Sequence, residues 1–546
     1  MTLNSNQKKI VLILFYLVAI ITGFVIVEDY GIHIEEKFHR SNGLYWLNYI
    51  SKIFNLTDIQ NITEFKLSEI SDFSLSSVIY YNKYGVILDL PAAALEVFLN
   101  INEVKSVYYL KHLLSFLIFL FSSFFFYKLL SKRFNNFLLC FLGLFLYITT
   151  PRIFGDSFLY KDILFLSFFT INLYFFFKAV DKFDFKNLIW LAVFCSLSIN
   201  LRIFAILIPI TFIFIIIIKN FYFKKYFCAL KKIFFFLVFF MTFTFIFWPY
   251  LWSDPLDNFL KLYTSVRNDL VQVNILYDDQ YINNNTLPDT YIINWIMLTS
   301  PMLQIFFFFI GFLFCLIRFL RRFINIKENS LYNDLWRGKK EEIDFIFFLI
   351  LIFYYFFFIF LNAPLYNGWR LTYFFNIFLI YFSIYSLFNL QNIFRKKKLI
   401  IFLIVFLLTT YNIFAIIKTH PFQSLYFNSF LSEKTKNGYE GDYHGIATKH
   451  FFEKILRIEE ANIVNIGVAC HTPIQRGLEA LPKKYRKKFH IVGQEYDQAD
   501  YIFKNNISEV NSKLIKKYQI PKNFSKIYEL KIDKVKIYEI YKINKT

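Results

Sequence analysis

The chain has 546 residues, of which 57% are hydrophobic and 22% aromatic, and its formal net charge is +20. A water-soluble core cannot hide that much apolar surface and a bilayer can, so the composition excludes an ordinary soluble domain and predicts a polytopic membrane protein. The positive charge does not call for a nucleic-acid partner, because the basic residues lie mostly in short connections between apolar runs, where they set topology and meet anionic membrane lipids.

Taken in chain order, about eleven apolar runs come near bilayer length. They lie near 10–27, 108–128, 135–150, 162–178, 187–201, 203–218, 233–249, 299–317, 344–362, 372–389 and 399–417. The stretch 187–218 reads equally as a hairpin or as one long broken helix. The first run lacks a small-residue cleavage site, so it is expected to stay as a helix rather than be removed as a signal. Lys8 and Lys9 precede it, and the basic groups that follow recur at every second connection: Lys128 to Arg133, Lys178 to Lys186, Lys219 to Lys232, Arg318 to Lys340 and Arg395 to Lys398. That alternation predicts a cytoplasmic N-terminus. Cys140, Cys195, Cys228 and Cys315 fall in or beside apolar segments and Cys470 is alone in the tail, which gives neither a disulfide framework nor a zinc spacing.

The remaining connections are expected on the outer face, and the unusual residues collect there. The first outer loop, 28–107, opens with EDYGIHIEEKFHR, placing Glu28, Asp29, Glu35 and Glu36 beside His33, His39 and Arg40. Apolar residues at helical spacing in Trp46–Phe54 and Ala92–Leu99 predict short helices lying on the membrane. The second outer loop is TPRIFGDSFLYKD, the third is very short and holds Arg202, the fourth runs from Trp248 to about Leu298, and the fifth is NAPLYNGWRLTY. The tail begins HPFQSLYFN and passes through Asp442, Tyr443 and His444. From about 460 it alternates strand-like and helical stretches: NIVNIGVAC, FHIVG, ADYIF and VKIYEIY as strands, TPIQRGLEAL as a helix. The expected fold is therefore an all-α membrane domain over 1–418 and an extracytoplasmic tail over 419–546 containing a small α/β domain.

Four carboxylates crowded at a membrane edge raise one another's pKa, which suits proton abstraction or cation binding; a solvated loop that stops the helix sliding inward is the plainer reading. Glu35 and Glu36 are the candidate acids, with Asp156 and Asp162 as seconds, and the first pair could also hold a divalent metal, although no ligand set has diagnostic spacing. Arg152, Lys161, Arg202 and Arg370 offer cations for a phosphate, if they are not simply snorkelling to headgroups. His39 and Arg40 lie beside the acids as further candidates to bind the substrate or its lipid phosphate, and Trp46, Trp252 and Trp369 could stack on sugar rings or belong to an interfacial belt.

DYGIHIEEKFHR, PRIFGDSFLYKD, WPYLWSDP, LYNGWRLTYF and HPFQSLYFN, in that order, resemble the loop motifs of integral-membrane glycosyltransferases of the GT-C superfamily. The branch resembled contains protein O-mannosyltransferases and the aminoarabinose transferases that modify lipid A, in their bacterial form with a small C-terminal domain. The resemblance implies transfer of a hexosyl or pentosyl unit from a polyprenyl-phosphate donor to a glycan, lipid or protein acceptor outside the cytoplasm, in a bacterial inner membrane. It implies that a first-loop acid deprotonates the acceptor hydroxyl or helps to hold a metal, while basic side chains stabilise the departing lipid phosphate. Where that first-loop motif carries Asp followed by Glu, this chain has Glu35–Glu36, with Asp29 as a further candidate. Two other classes compete. A transporter or flippase of lipid-linked glycans would draw on Arg202 and Pro209, and a membrane anchor would only present the tail domain to a partner.

Overall fold

The computed structural model describes residues 4–70, 85–160, 162–182, 184–222, 226–268, 272–324, 336–393, 398–508, 510 and 514–544. Each of the predicted apolar runs falls on a helix: α1 (Ser5–Ile26) before the first loop, then α2 (Glu36–Ile53), α3 (Thr57–Ser68) and α4 (Asp89–Phe98) within it. The bundle continues with α5 (Val104–Phe134), α6 (Phe137–Thr149), the short α7 (Pro151–Asp156), α8 (Asp162–Asp181), α9 (Phe185–Leu201), α10 (Leu207–Tyr222) and α11 (Tyr226–Phe247). After α12 (Pro255–Asn268), a hairpin of β1 (Asn274–Tyr277) and β2 (Gln280–Asn283), and α13 (Tyr291–Thr299), it closes with α14 (Met302–Ile324), α15 (Gly338–Phe360), α16 (Phe375–Ile393) and α17 (Lys398–Thr419).

Among the described residues, seven helices are long and apolar enough to cross a membrane, by length and composition. Phe137–Thr149, Phe185–Leu201 and Leu403–Thr419 are apolar but shorter. Burial sorts them into layers. The most apolar window of α8 is 83% buried, against 11% for the N-terminal helix and 6% for α11, so α8 runs through the centre and the other two lie at the rim. Helix α16 carries Asn376, Ser383 and Ser386 and is buried at every position from Phe375 to Leu387, so protein surrounds it on all sides.

Local chemistry sets the ends. Asn4 accepts from the Gln7 amide at 2.8 Å while the Gln7 side chain accepts from the Asn4 amide at 2.9 Å, a capping box that starts α1. Asn135 in the left-handed region (φ 47) stops α5, and the Asn136 side chain accepts from the Leu139 amide to start α6, so two residues make the whole turn. Gly311 lets α14 meet α16 backbone to backbone, since a Cβ there would lie 1.9 Å from the Phe382 carbonyl oxygen.

At 31 residues α5 is about 46 Å long, and its two ends lie in different chemistry. At the far end Arg133 grips the buried Asp344 through two bonds of 2.6 and 2.8 Å, and Arg318 adds a third at 2.8 Å. Lys219 pairs with Glu342 at 2.6 Å and Arg322 with Glu341 at 2.8 Å at the same end. Part of the basic excess read from the sequence as topology is thus neutralised by acids at the start of α15. The other end gathers the first loop, the connections before α8, α10, α14 and α16, and the tail.

The first-loop helices are longer than expected: α2 begins at Glu36, ten residues before Trp46. With α3 and α4 it buries a small cluster of Leu44, Leu67, Ile70 and Ala93. In the tail, α18 (Ala447–Ile458) leads into β3 (Val464–Val468), α19 (Gln475–Glu479), β4 (Phe489–Gly493), β5 (Tyr501–Lys504), β6 (Phe524–Ile532) and β7 (Val535–Ile543). The strands form one mixed sheet in the order β4-β3-β5-β7-β6, with β3 parallel to both neighbours and β7 antiparallel to both of its own. Phe451 and Phe452 of α18 pack edge-on against Phe503 and Phe489 of the sheet.

Candidate functional site

The site begins with a turn that separates two adjacent glutamates. The His33 amide donates to Glu36 Oε1 at 3.1 Å, and the Glu35 amide donates to His33 Nδ1 at 2.9 Å. Glu36 thereby turns into the bundle, fully buried, with its Oε1 2.8 Å from His112 Nε2 on α5. Glu35 turns the other way, is 27% exposed, and accepts from the Arg370 guanidinium at 2.9 Å. The pair that the sequence offers as one acidic unit therefore does two different things.

Arg370 sits on a 3₁₀ turn just after Gly368, whose φ of +65° favours glycine. Buried to 5% exposure, the guanidinium also lies 3.4 Å from His33 Nε2 and 3.5 Å from Asp162 Oδ2. Asp162, at the start of α8, bonds in turn to Arg202 at the break between α9 and α10. Glu35, Arg370, Asp162 and Arg202 thus form a chain of alternating charge drawn from four separate connections. Burial alone would weaken the hold of Arg370 on its proton, but the charges of Glu35 and Asp162 outweigh it and keep the guanidinium protonated more firmly than usual. Its Nε is buried without a hydrogen-bond partner among the described residues.

A second buried arginine lies beyond. Arg152 of α7 is 1% exposed, donates to the Tyr426 carbonyl at 3.2 Å and the Tyr443 hydroxyl at 3.4 Å, and lies 5.4 and 5.5 Å from the centres of the adjacent Trp295 and Phe427 rings. Its Nε also has no partner among the described residues. Asp156, one turn on, accepts from the Tyr373 hydroxyl and lies 3.6 Å from His444 Nε2 of the tail. The tail reaches this point because Asp442 accepts from the Ile446 and Ala447 amides, folding the GDYHG stretch inward, and because the Ile34 amide donates to the His444 carbonyl at 3.0 Å.

Two cavities flank the charge chain and share Tyr160. The larger, about 440 Å³, is lined by His39, Asp89, Asn200, Arg202 and the apolar Leu164 and Phe165. The smaller, about 210 Å³, is lined by His33, Asp156, Asp162 and His444. His39 and Asn42 both bond to Asp89, at 2.9 and 2.7 Å. Burial works to raise the Asp89 pKa, but His39 and the buried Lys111 overcome it and hold the carboxyl below its ordinary value.

Of the residues singled out in the sequence, Glu35, Asp162, Arg202 and Arg370 come together, Asp156 and Arg152 lie beside them, and His39 lines the larger cavity. Arg40 does not join them: it makes a forked bond to Glu96 at 2.7 and 3.2 Å, and Glu96 is also 3.3 Å from Lys66. Trp369 is 1% exposed with its indole N–H donated to Thr299 at 2.8 Å, so it packs the floor rather than offering a free face. Lys161 lies outside the described residues. With Glu35 and Glu36 pointing apart, those two do not make a metal cage, and among the described residues no three His, Cys, Asp or Glu side chains group at ligating spacing.

Asp89, His444, Tyr160 and Glu440 are members or neighbours of the site that sequence reasoning did not select. Only His444 carried a usable signal, a histidine between two glycines in an otherwise polar tail. Glu440 is 1% exposed and accepts from the Leu276 amide of β1 at 3.3 Å and from Asn367 of the loop before Arg370. Burial pushes its carboxyl up to about 7. No family model matches the chain, and no curated protein sequence matches it.

Proposed function

We propose that the protein is an integral-membrane glycosyltransferase that moves a sugar from a polyprenyl-phosphate donor to a hydroxyl acceptor, at the bundle end where the loops converge. The observation that carries the reading is the buried chain Glu35–Arg370–Asp162–Arg202 set between two cavities, one of them walled by Leu164, Phe165 and Leu201. A lipid phosphate needs cations in a place partly closed to water, and Arg370 and Arg152 each keep a buried N–H without a partner among the described residues. The loop motifs that resemble GT-C enzymes support the same reading, the seven long apolar helices among the described residues support a multi-pass membrane protein, and the basic groups at every second connection of the sequence support a cytoplasmic N-terminus with the tail outside.

In this mechanism Arg202 and Arg370 take the charge that develops on the departing phosphate. Asp162 fixes the spacing of the two guanidiniums. Glu35, the partly exposed acid of the chain, aims Arg370. The test is mass spectrometry of surface glycans, lipids and proteins from a deletion strain complemented with wild type or Glu35→Gln. Loss of one sugar that only wild type restores supports the reading. An unchanged profile, or uptake of substrate into liposomes by the purified protein without a covalent product, overturns it.

A further inference from the structure

The smaller cavity contains more unsatisfied polarity than packing explains. His444 is 2% exposed and, among the described residues, neither of its ring nitrogens has a hydrogen-bond partner; Asp156 is 3% exposed and its Oδ1 likewise has none among them. Both side chains line the cavity. A buried polar atom left unbonded costs stability, so three together in one wall are best explained by a polar group that occupies the space. The enclosed space is about the size of one water, so it admits a hydroxyl group rather than a whole sugar ring.

Glu35 is poorly placed to take a proton, because its carboxylate is already engaged by a guanidinium. A histidine is the side chain whose ordinary proton affinity lies nearest neutrality, and an acid beside one nitrogen both orients the ring and stabilises the cation it becomes. We propose that His444, supplied by the tail and oriented by Asp156, is the catalytic group that receives the proton of the acceptor hydroxyl bound in this cavity. This rests on the glycosyltransferase reading above. The acceptor O–H bond breaks with its proton passing to an imidazole nitrogen, and the oxygen forms the new bond to the anomeric carbon. The bond from that carbon to the phosphate oxygen breaks, its electron pair leaving with the lipid phosphate, and the imidazolium later returns the proton to water.

The surroundings of the ring fit that cycle. Asp156 is 3.6 Å away on α7, and the His33 ring of the first loop is 4.5 Å from the His444 ring, centre to centre. From the fifth loop Arg370 lies 3.4 Å from His33 and 5.9 Å from the Tyr443 ring, which itself packs 4.2 Å from His444. Tyr373 bonds to Asp156, Asp162 lines the cavity, and Asp442 precedes the ring by two residues.

The experiment measures transfer against pH by full-length protein in nanodiscs, with the host's extracted polyprenyl-phosphate sugars as donor and its surface glycan as acceptor. His444→Gln should lower the rate at neutral pH by about 10²–10⁴-fold, leave the donor KM unchanged, and replace the plateau of the wild-type profile by a rate still rising with pH. Asp156→Asn, which keeps the shape of the site, should shift the plateau, while Glu35→Gln should lower the rate and keep the plateau where it was. Wild-type transfer with an unaltered profile in His444→Gln, or in Asp156→Asn if the first variant does not fold, overturns the assignment alone. Absence of transfer by wild type overturns the underlying reading together with it.

Discussion

Glu440 makes stability pH-dependent in a direction opposite to most carboxylates. Buried between β1, the Asn367 loop and the tail, its carboxyl is raised from an ordinary 4.5 to about 7. Below pH 4.5 the group is protonated in the folded and unfolded chain alike and contributes no difference. Between pH 4.5 and 7 the unfolded chain releases this proton while the folded chain keeps it, so stability falls as pH rises. Above pH 7 both states are ionised and the loss is complete. At about 1.4 kcal/mol per pKa unit the loss amounts to about 3 kcal/mol. Glu440→Gln keeps an acceptor for the Leu276 amide, and a flip of the Asn367 amide meets its new N–H₂ group, so the variant should be free of this loss. Thermal unfolding in nanodiscs, followed by tryptophan fluorescence, should show wild type and Glu440→Gln close together at pH 4.5 and the variant higher by several degrees at pH 8. A gap that does not change with pH would refute the burial argument.

Arg370→Lys keeps the charge but loses the fork that joins Glu35 to Asp162; surface-glycan analysis should show transfer reduced by about 10²–10³-fold with expression intact, and full complementation would remove the fork from the mechanism. Asp344→Asn leaves Arg133 and Arg318 without their shared carboxylate and should destabilise by about 3–5 kcal/mol in the same unfolding assay, with Arg133→Met added to it recovering part of the loss. Gly31→Val should loosen the tail from the first loop, because even a Cβ at Gly31 lies 2.1 Å from the Ile446 carbonyl oxygen; limited proteolysis should release the tail faster than from wild type, and equal rates would refute the close approach.

The helices were legible because a bilayer-length apolar run has few other structures open to it. The strands were legible where β-branched and aromatic residues alternate: FHIVG became β4 residue for residue. Strand β6 has the same alternation, FSKIYELKI, with lysines and a glutamate on its open face, and went unread. The β1–β2 hairpin was hidden because its turn uses Asp278 and Asp279, at φ 52° and 62°, where Asn-Gly is the stronger signal. The site was legible as a set of residue types and not as a set of partners. The turn at His33 sends Glu35 and Glu36 apart, but their partners lie far off in the sequence: Arg370 is 335 residues downstream of Glu35 and His112 is 76 residues downstream of Glu36. Arg40 looked like a headgroup or phosphate ligand for the same reason: its acid, Glu96, lies 56 residues away across a loop.

Those long separations have a consequence for biogenesis. Arg152 reaches Tyr443 across 291 residues, Tyr30 reaches Gln423 across 393, and Lys449 reaches the Glu28 carbonyl across 421. The first loop is made early and must wait, its partners unmade, until nearly the whole polypeptide has left the ribosome. A chain released before residue 444 has the membrane helices and the arginines but lacks one wall of the smaller cavity. The order of synthesis therefore makes docking of the tail the last step in building this end of the bundle.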